Sequence, residues 1–245
     1  MKFAKPCFDF GLTTDSIDKV AAFWRDDIGL PFNHELPLGP GHVQHRYDLH
    51  GSVLKLNSRK LDDTPPGGYR ELLIARDDVT KPRELADPDG NRVTLVPRGH
   101  LGITQIGVSM CVRDLDAHRR FYATALKLPQ VGENAFQAGE GVILLEHDPS
   151  VAINTTLWGC GWRYLTFQIW DAETEHAHVL AHGGREGMPI TRFKDIAIGS
   201  MVLDPDGNWI ELSQRANLTG PLGDRVSSTD FPPQPAITDR CRIDL

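Results

Sequence analysis

One pentapeptide, Asp-Pro-Asp-Gly-Asn, stands twice in this chain, at 87–91 and at 204–208. Pro fixes φ at the turn entry, Asp and Asn take local backbone hydrogen bonds, and Gly accepts positive φ, so each copy is a tight turn. The run after the second copy alternates, with Ile210 and Leu212 on one face and Trp209, Glu211 and Ser213 on the other. That is the pattern of a half-buried strand. A strand, turn and strand repeated 117 residues apart requires a repeated fold, and Glu211 is the acidic residue that the second copy aims at the strand's polar face.

The chain on either side of the turns repeats as well. Phe8, Phe10 and Leu12 alternate with polar or small residues and predict an opening strand. A helix capped by Asp15 or Ser16 follows, with Ile17, Val20, Ala21, Trp24 and Ile28 as its buried stripe and Gly29 as its stop. The segment from Pro31 to Pro40 reads as a Pro- and Gly-rich loop, 42–57 as a hairpin turning near His50-Gly51, and Glu71 to Ala75 as a strand. In the second half Ile106, Val108, Met110 and Val112 form the first strand. Asp114 caps the helix carrying Tyr122, Ala138 to His147 ends a hairpin, and Tyr164 to Trp170 is the next strand. A helix from Asp171 to Gly183-Gly184 stands where the first half has almost nothing, so the first copy is the shorter one. The organisation expected is an N-terminal repeat over 1–99, a C-terminal repeat over 100–215 and a Pro-containing tail over 216–245. The tail is either a loose or partner-docked terminus, or a strap across a pocket.

With 40% hydrophobic and 24% charged residues, 245 residues suffice for an unstapled core. The net charge of −7, with Lys and Arg scattered, argues against nucleic acid or a membrane surface as the main partner and leaves a small molecule. Cys7, Cys111, Cys160 and Cys241 lack metal or redox spacing, no apolar run approaches a membrane span, and the first ten residues do not resemble a signal peptide. These features predict a cytoplasmic protein.

The combination of a strand, an Asp-started helix ending in Phe-Trp or Phe-Tyr, and strands closing on Asp-Pro-Asp-Gly-Asn with Glu-Leu resembles the vicinal oxygen chelate superfamily of glyoxalases, bleomycin resistance proteins and extradiol dioxygenases. Val112 to Leu128 with Asp204 to Leu212 carry the resemblance, echoed at Thr14 to Leu30 with Asp87 to Leu95. It implies an α+β fold of four βαβββ modules in two repeats, curled into cup-shaped half-barrels with helices outside and the site on a concave face. Two repeats in one chain most resemble extradiol dioxygenases, and the resemblance allows a homodimer. It also implies a divalent metal held by residues of first strands and a Glu of the last strand. Matched residue by residue, the second repeat offers Gly107, Tyr164 and Glu211, and the first offers Asp9, Glu71 and Thr94. No imidazole stands at these positions. An alternative oxygen-rich set, Gln105, Glu146 and Glu211, would suit Mn or Mg better than a metal that seeks imidazole, whereas an iron oxygenase needs two His and a carboxylate. His178 and His182 fall on the solvated face of their helix, and His42, His45 and His50 on polar strand surface.

The alternation argues independently for a cavity. Gly107 and Ser109, Tyr164, Thr166 and Gln168, and Trp209 and Glu211 mix aromatic with polar groups, as ligand cavities do. Glu211, desolvated and so raised in pKa, is the candidate base and Tyr164 the candidate donor to a developing oxyanion. Gly107, Ser109, Thr166, Gln168, Trp209 and Arg192 are candidate substrate contacts, with Arg163 and Lys194 further cations at the rim. Three functions follow: an isomerase or lyase working by acid-base chemistry on a small oxygenated, aromatic-type molecule; a metal-dependent extradiol dioxygenase; or a non-catalytic small-molecule binder.

Overall fold

The structure, a computed structural model, describes residues 1–153 and 156–223. The first module comprises β1 (Asp9–Thr14), α1 (Ile17–Ala22), β2 (Phe32–Gly39), β3 (His42–Leu49) and β4 (Ser52–Ser58). The second has strands only: β5 (Tyr69–Arg76), β6 (Arg83–Ala86) and β7 (Arg92–Pro97). The third runs β8 (Ile106–Val112), α2 (Leu115–Arg120), β9 (Gln130–Gly132), β10 (Ala135–Ala138) and β11 (Gly141–His147). The fourth runs β12 (Gly161–Gln168), α3 (Ala172–Ala181), β13 (Arg185–Phe193), β14 (Ala197–Leu203) and β15 (Trp209–Arg215), before a short α4 (Ala216–Thr219). The tail beyond Gly223 lies outside the described residues. No helix among the described residues is long and apolar enough to cross a membrane.

The modules do not pair in sequence order. The first joins the fourth through antiparallel β1 and β12, giving an eight-stranded sheet in the order β13-β14-β15-β12-β1-β4-β3-β2. The second joins the third through β5 and β8, giving a seven-stranded sheet. Each curled sheet therefore draws on both sequence repeats, and the cup that holds Glu211 is built from the two ends of the chain.

The apolar alternation fixes which face meets the core. Phe10, Leu12, Leu165, Phe167, Ile210 and Leu212 of the first sheet and Leu72, Ile74, Val108 and Met110 of the second share one cluster with Val20, Trp24, Phe121 and Val179 of the helical segments. Each such side chain contributes about 1.5–3 kcal/mol on burial. Helices α1 and α2 each continue into a π-helical turn, Phe23–Asp27 and Phe121–Ala125, which seats the aromatic pairs against the sheets. Asp114 and Asp171 cap their helices, accepting from the Ala117 and Thr174 amides at 2.9 and 3.0 Å. Ser16 occupies the corresponding position of α1 without a side-chain capping bond.

The repeated pentapeptides adopt one geometry. Asp87 accepts from the Asp89 and Asn91 amides and the Asn91 side chain, and Asp204 does the same with Asp206 and Asn208, every distance lying between 2.8 and 3.0 Å. Gly90 and Gly207 have φ of 84° and 87°, the left-handed turn that glycine adopts without strain. The hairpin turn at His50-Gly51 is as expected, with positive φ at both residues. The 31–40 segment is not a loop: β2 is the edge strand of the large sheet, a position that tolerates Pro37 because one side needs no ladder partner.

Candidate active site

The concave face of the eight-stranded sheet is polar at its centre. Thr166 and Glu211 are direct neighbours on β12 and β15, and Gly11 and Lys55 are direct neighbours on β1 and β4. A local dyad through the Phe10–Leu165 pair of β1 and β12 relates the two halves, so Gly11 matches Thr166 and Lys55 matches Glu211. Lys55 Nζ donates to Glu211 Oε2 at 2.8 Å and to Thr166 Oγ1 at 2.6 Å, and the threonine hydroxyl donates to the same carboxylate oxygen at 2.6 Å. Burial pulls the pKa of Lys55 down, and Glu211 first and then Asp9 oppose this. For Glu211 burial pushes upward, yet the Lys55 charge and the two hydrogen bonds outweigh it and hold the acid below its ordinary range. The raised pKa expected of Glu211 is therefore corrected: its cationic neighbour is supplied by the first module.

Tyr164 stands beside this pair, two residues before Thr166 on the same face. Its hydroxyl accepts from Gln44 Nε2 at 3.2 Å and Asn57 Nδ2 at 3.1 Å. Burial, and then the nearby Glu211 charge, raise its pKa, so it keeps its proton at any ordinary pH. Its ring lies 5.4 Å from the Lys55 ammonium. Gly11 makes the room: a Cβ built there would stand 2.3 Å from the tyrosine ring. Asn57 also donates to the Leu12 carbonyl and accepts from Gln44, while His42 Nε2 lies 3.2 Å from its oxygen. His42 is thus buried in the site's hydrogen-bond network, not on polar surface.

Above these groups opens a cavity of about 260 Å³ walled by Leu36, Leu38, Trp158, Met188, Phe193 and Met201, with Arg46, Lys194 and Arg215 among its polar lining. Of the residues singled out in the sequence, Glu211, Tyr164 and Thr166 come together here. Gln168 faces Asp9 in an adjoining hollow. Trp209, like Met188, packs against the apolar cluster of Trp158, Tyr164 and Met201. Arg192 turns its guanidinium to the Lys194 carbonyl and Asp195, leaving Lys194 to line the cavity. Arg163 is buried on the Gly159 carbonyl and Thr64, away from any rim, and desolvation lowers its pKa to about 10.

Gly107 and Ser109 are placed elsewhere. They lie on β8 of the other sheet, where the absent Gly107 side chain admits Ile103 and not a ligand: an added Cβ would meet Ile103 Cδ1 at 2.5 Å. Ile103 there packs with Leu73, Ala75, Val96 and Val142 in a separate apolar cluster on the face opposite the main core, where a ligand would otherwise enter. Glu146 accepts from Ser109 on the same sheet, and Gln105 precedes β8, so the set of Gln105, Glu146 and Glu211 is not assembled. Glu71 and Thr94 bond each other there too. No cluster of three His, Cys, Asp or Glu groups suited to a metal occurs among the described residues.

The metal implied by the resemblance can be tested against the dyad positions. Gly11, Lys55, Thr166 and Glu211 offer one carboxylate and one hydroxyl, with the Lys55 ammonium already bonded to both. That donor set does not fit a divalent cation, which needs several anionic or imidazole ligands. Lys55, Gln44, Arg46, Asn57 and Arg215 were not singled out from the sequence. The signal for the first four is the alternation of His42, Gln44 and Arg46 against Val53, Lys55 and Asn57 across the first hairpin, and for Arg215 the alternation of Glu211, Ser213 and Arg215 along β15.

Comparison with known proteins agrees with this architecture. The model of the Glyoxalase/Bleomycin resistance protein/Dioxygenase superfamily matches residues 101–212. Glyoxalase I from Zea mays superposes with a TM-score of 0.67 at 16% identity, over 85% of this chain and 92% of that one. A putative dioxygenase from Bacillus subtilis subsp. subtilis str. 168 gives 0.66 at 12% identity, over 88% and 85%. No curated protein matches the chain in sequence. The second repeat thus matches the Glyoxalase/Bleomycin resistance protein/Dioxygenase superfamily in sequence, and the fold shared with these solved structures extends over most of the chain.

Proposed function

We propose that the protein is an enzyme that moves a proton at a carbon next to a carbonyl of a small molecule, an isomerase- or lyase-type reaction in the cup shared by the first and fourth modules. The observation that carries this is the Lys55–Glu211 pair at the dyad-related positions, flanked by the Tyr164 hydroxyl. Glu211 is the base: Lys55 and Thr166 bond Oε2, and Oε1 is left for the substrate proton. An enolate forming beside it is stabilised by the Lys55 ammonium and by Tyr164, whose oxygen already accepts two amide hydrogens and whose own proton is available to donate. Apolar walls exclude water and strengthen these interactions. An extradiol dioxygenase reaction would need a ligand set that these residues do not supply.

The test is exchange of substrate C–H hydrogens with solvent deuterium, followed by NMR over a panel of small aldehydes, ketones and oxo acids. The expected result is accelerated exchange for a subset, lowered about 10²–10⁴-fold in Glu211→Gln, as for loss of a general base. Binding without exchange by any member would favour the second reading, a sequestering protein, to which the resting neutralisation of Glu211 by Lys55 also lends support.

A further inference from the structure

Beyond the base and its oxyanion donors, the cavity carries cationic charge that no protein group among the described residues balances by an ion pair. Lys5 pairs with Asp9 at 2.6 Å and Lys55 with Glu211 at 2.8 Å, which uses the two carboxylates that line the cavity and its adjoining hollow. Arg46 and Arg215 line the cavity and its adjoining hollow and have no ion pair among the described residues. Arg46 is only 7% exposed, and its Nε has no hydrogen-bond partner. It also stands directly opposite Lys55 in the β3–β4 ladder, a like-charge pairing that ordinarily destabilises a sheet. A buried guanidinium with an unmet donor beside a second cation is costly unless an anion completes it.

We infer that the cavity takes organic acids, with the carboxylate seated between Arg46 and Arg215 and the apolar body against Trp158, Phe193 and Met201. Arg46 flanks Lys55, and Arg215 follows Glu211 on the same face of β15, so a carboxylate held there sets the neighbouring carbons of the ligand beside the Lys55–Glu211 pair. The guanidinium fork matches a carboxylate in two parallel hydrogen bonds, and the volume of about 260 Å³ suits a body the size of one aromatic ring. The assignment rests on the proposed reading for what happens to the acid after binding, but not for the binding itself.

The experiment is calorimetric titration of the full chain with acetate, benzoate, phenylacetate and phenylpyruvate, each compared with its uncharged amide. At least one aromatic acid is expected to bind at least about tenfold more tightly than its amide. Arg46→Met should remove that preference while leaving the affinity for the amide within about twofold, and Arg46→Lys should restore part of it. Arg215→Met, at the more exposed of the two positions, serves as the second variant should Arg46→Met fail to fold. If no acid binds better than its amide, or if these variants weaken acid and amide alike, the assignment is overturned. Preference for acids with no proton exchange would leave this inference standing and defeat the catalytic reading; the converse result would do the reverse.

Discussion

Lys55 and Glu211 occupy dyad-related positions on two different modules, and their charged groups meet at 2.8 Å in the middle of the cup. The contact couples the stability of the pairing between the first and fourth modules to the chemistry of the site. Lys55 is 5% exposed and Glu211 27%, so removing the carboxylate strands a nearly buried ammonium. A fully buried pair broken on one side costs about 3–5 kcal/mol; the partial exposure of Glu211 reduces this to about 2–3 kcal/mol. Glu211→Gln is therefore expected to lower the denaturant midpoint, while Lys55→Met with Glu211→Met recovers much of the loss. A double-mutant cycle in urea measures the coupling, and additivity of the single variants would refute it.

The same pair sets a pH dependence. The folded pKa of Glu211 lies below that of the unfolded chain, so its stabilising contribution is complete above the unfolded value near 4.3 and is lost as pH falls through the folded one. Wild type minus Glu211→Gln stability, measured by urea unfolding from pH 7 downward, should be flat to about pH 5 and shrink below it. A difference that grew on acidification would reverse the sign of the shift.

Gly11→Ala tests whether the glycine exists for Tyr164. The added methyl meets the ring at 2.3 Å, well inside contact distance, so either the strand shifts or the tyrosine leaves Asn57 and Gln44. Overpacking of this kind costs about 1–3 kcal/mol. The variant should be less stable and, in the exchange assay, as impaired as Tyr164→Phe. A fully stable Gly11→Ala would mean that the ring has free space.

A second prediction on pH concerns the repeated turn. His118, fully buried on α2, lies 3.4 Å from Asp204 and 3.6 Å from Asp206. Burial works against its charge, but the adjacent Asp204 carboxylate, helped by the Asp114 carbonyl and Asp206, prevails and raises its pKa. A raised histidine pKa adds stability that is fully present below the unfolded value near 6.5 and is lost as pH rises through the folded value. His118→Gln should thus cost more at pH 5.5 than at pH 8.5, measured as the shift in urea midpoint. An equal loss at both would show a neutral imidazole.

The strands and turns of the fold are legible because period-two alternation and Asp-Pro-Asp-Gly-Asn act locally, and the helix starts at Asp114 and Asp171 are legible because a cap is a local hydrogen bond. What failed is what depends on pairing between distant segments. Gly107 looks like an open position on its own strand; only the packing of Ile103 shows that it is filled. Likewise Glu211 alone in an apolar-walled cup predicts a raised pKa, and Lys55, 156 residues away in sequence, reverses it. Periodicity gives the face of each strand but not which module's face lies beside it. The Pro- and Gly-rich run from Pro31 to Pro40 predicts a loop, but Pro signals a break only where both sides of a strand must pair, and β2 lies at a sheet edge.

If Lys55 stands where a cation would otherwise sit, its replacement by an acid should convert the site. Lys55→Glu would set a second carboxylate on the dyad opposite Glu211, with the Thr166 hydroxyl between the strands as a third oxygen. Two carboxylates and a hydroxyl suit a hard divalent ion such as Mn, with water filling the remaining positions. Without the ion the two acids repel, so the variant should be destabilised in chelator and recover stability as Mn is added, by the mass-action term that any ligand specific to the folded state supplies. Wild type, whose ammonium already satisfies Glu211, should show neither the loss nor the recovery. Electron paramagnetic resonance of a Mn titration, alongside thermal melts with and without chelator, separates the two proteins. Equal Mn binding by wild type and Lys55→Glu would show that the ammonium does not stand in a cation's place.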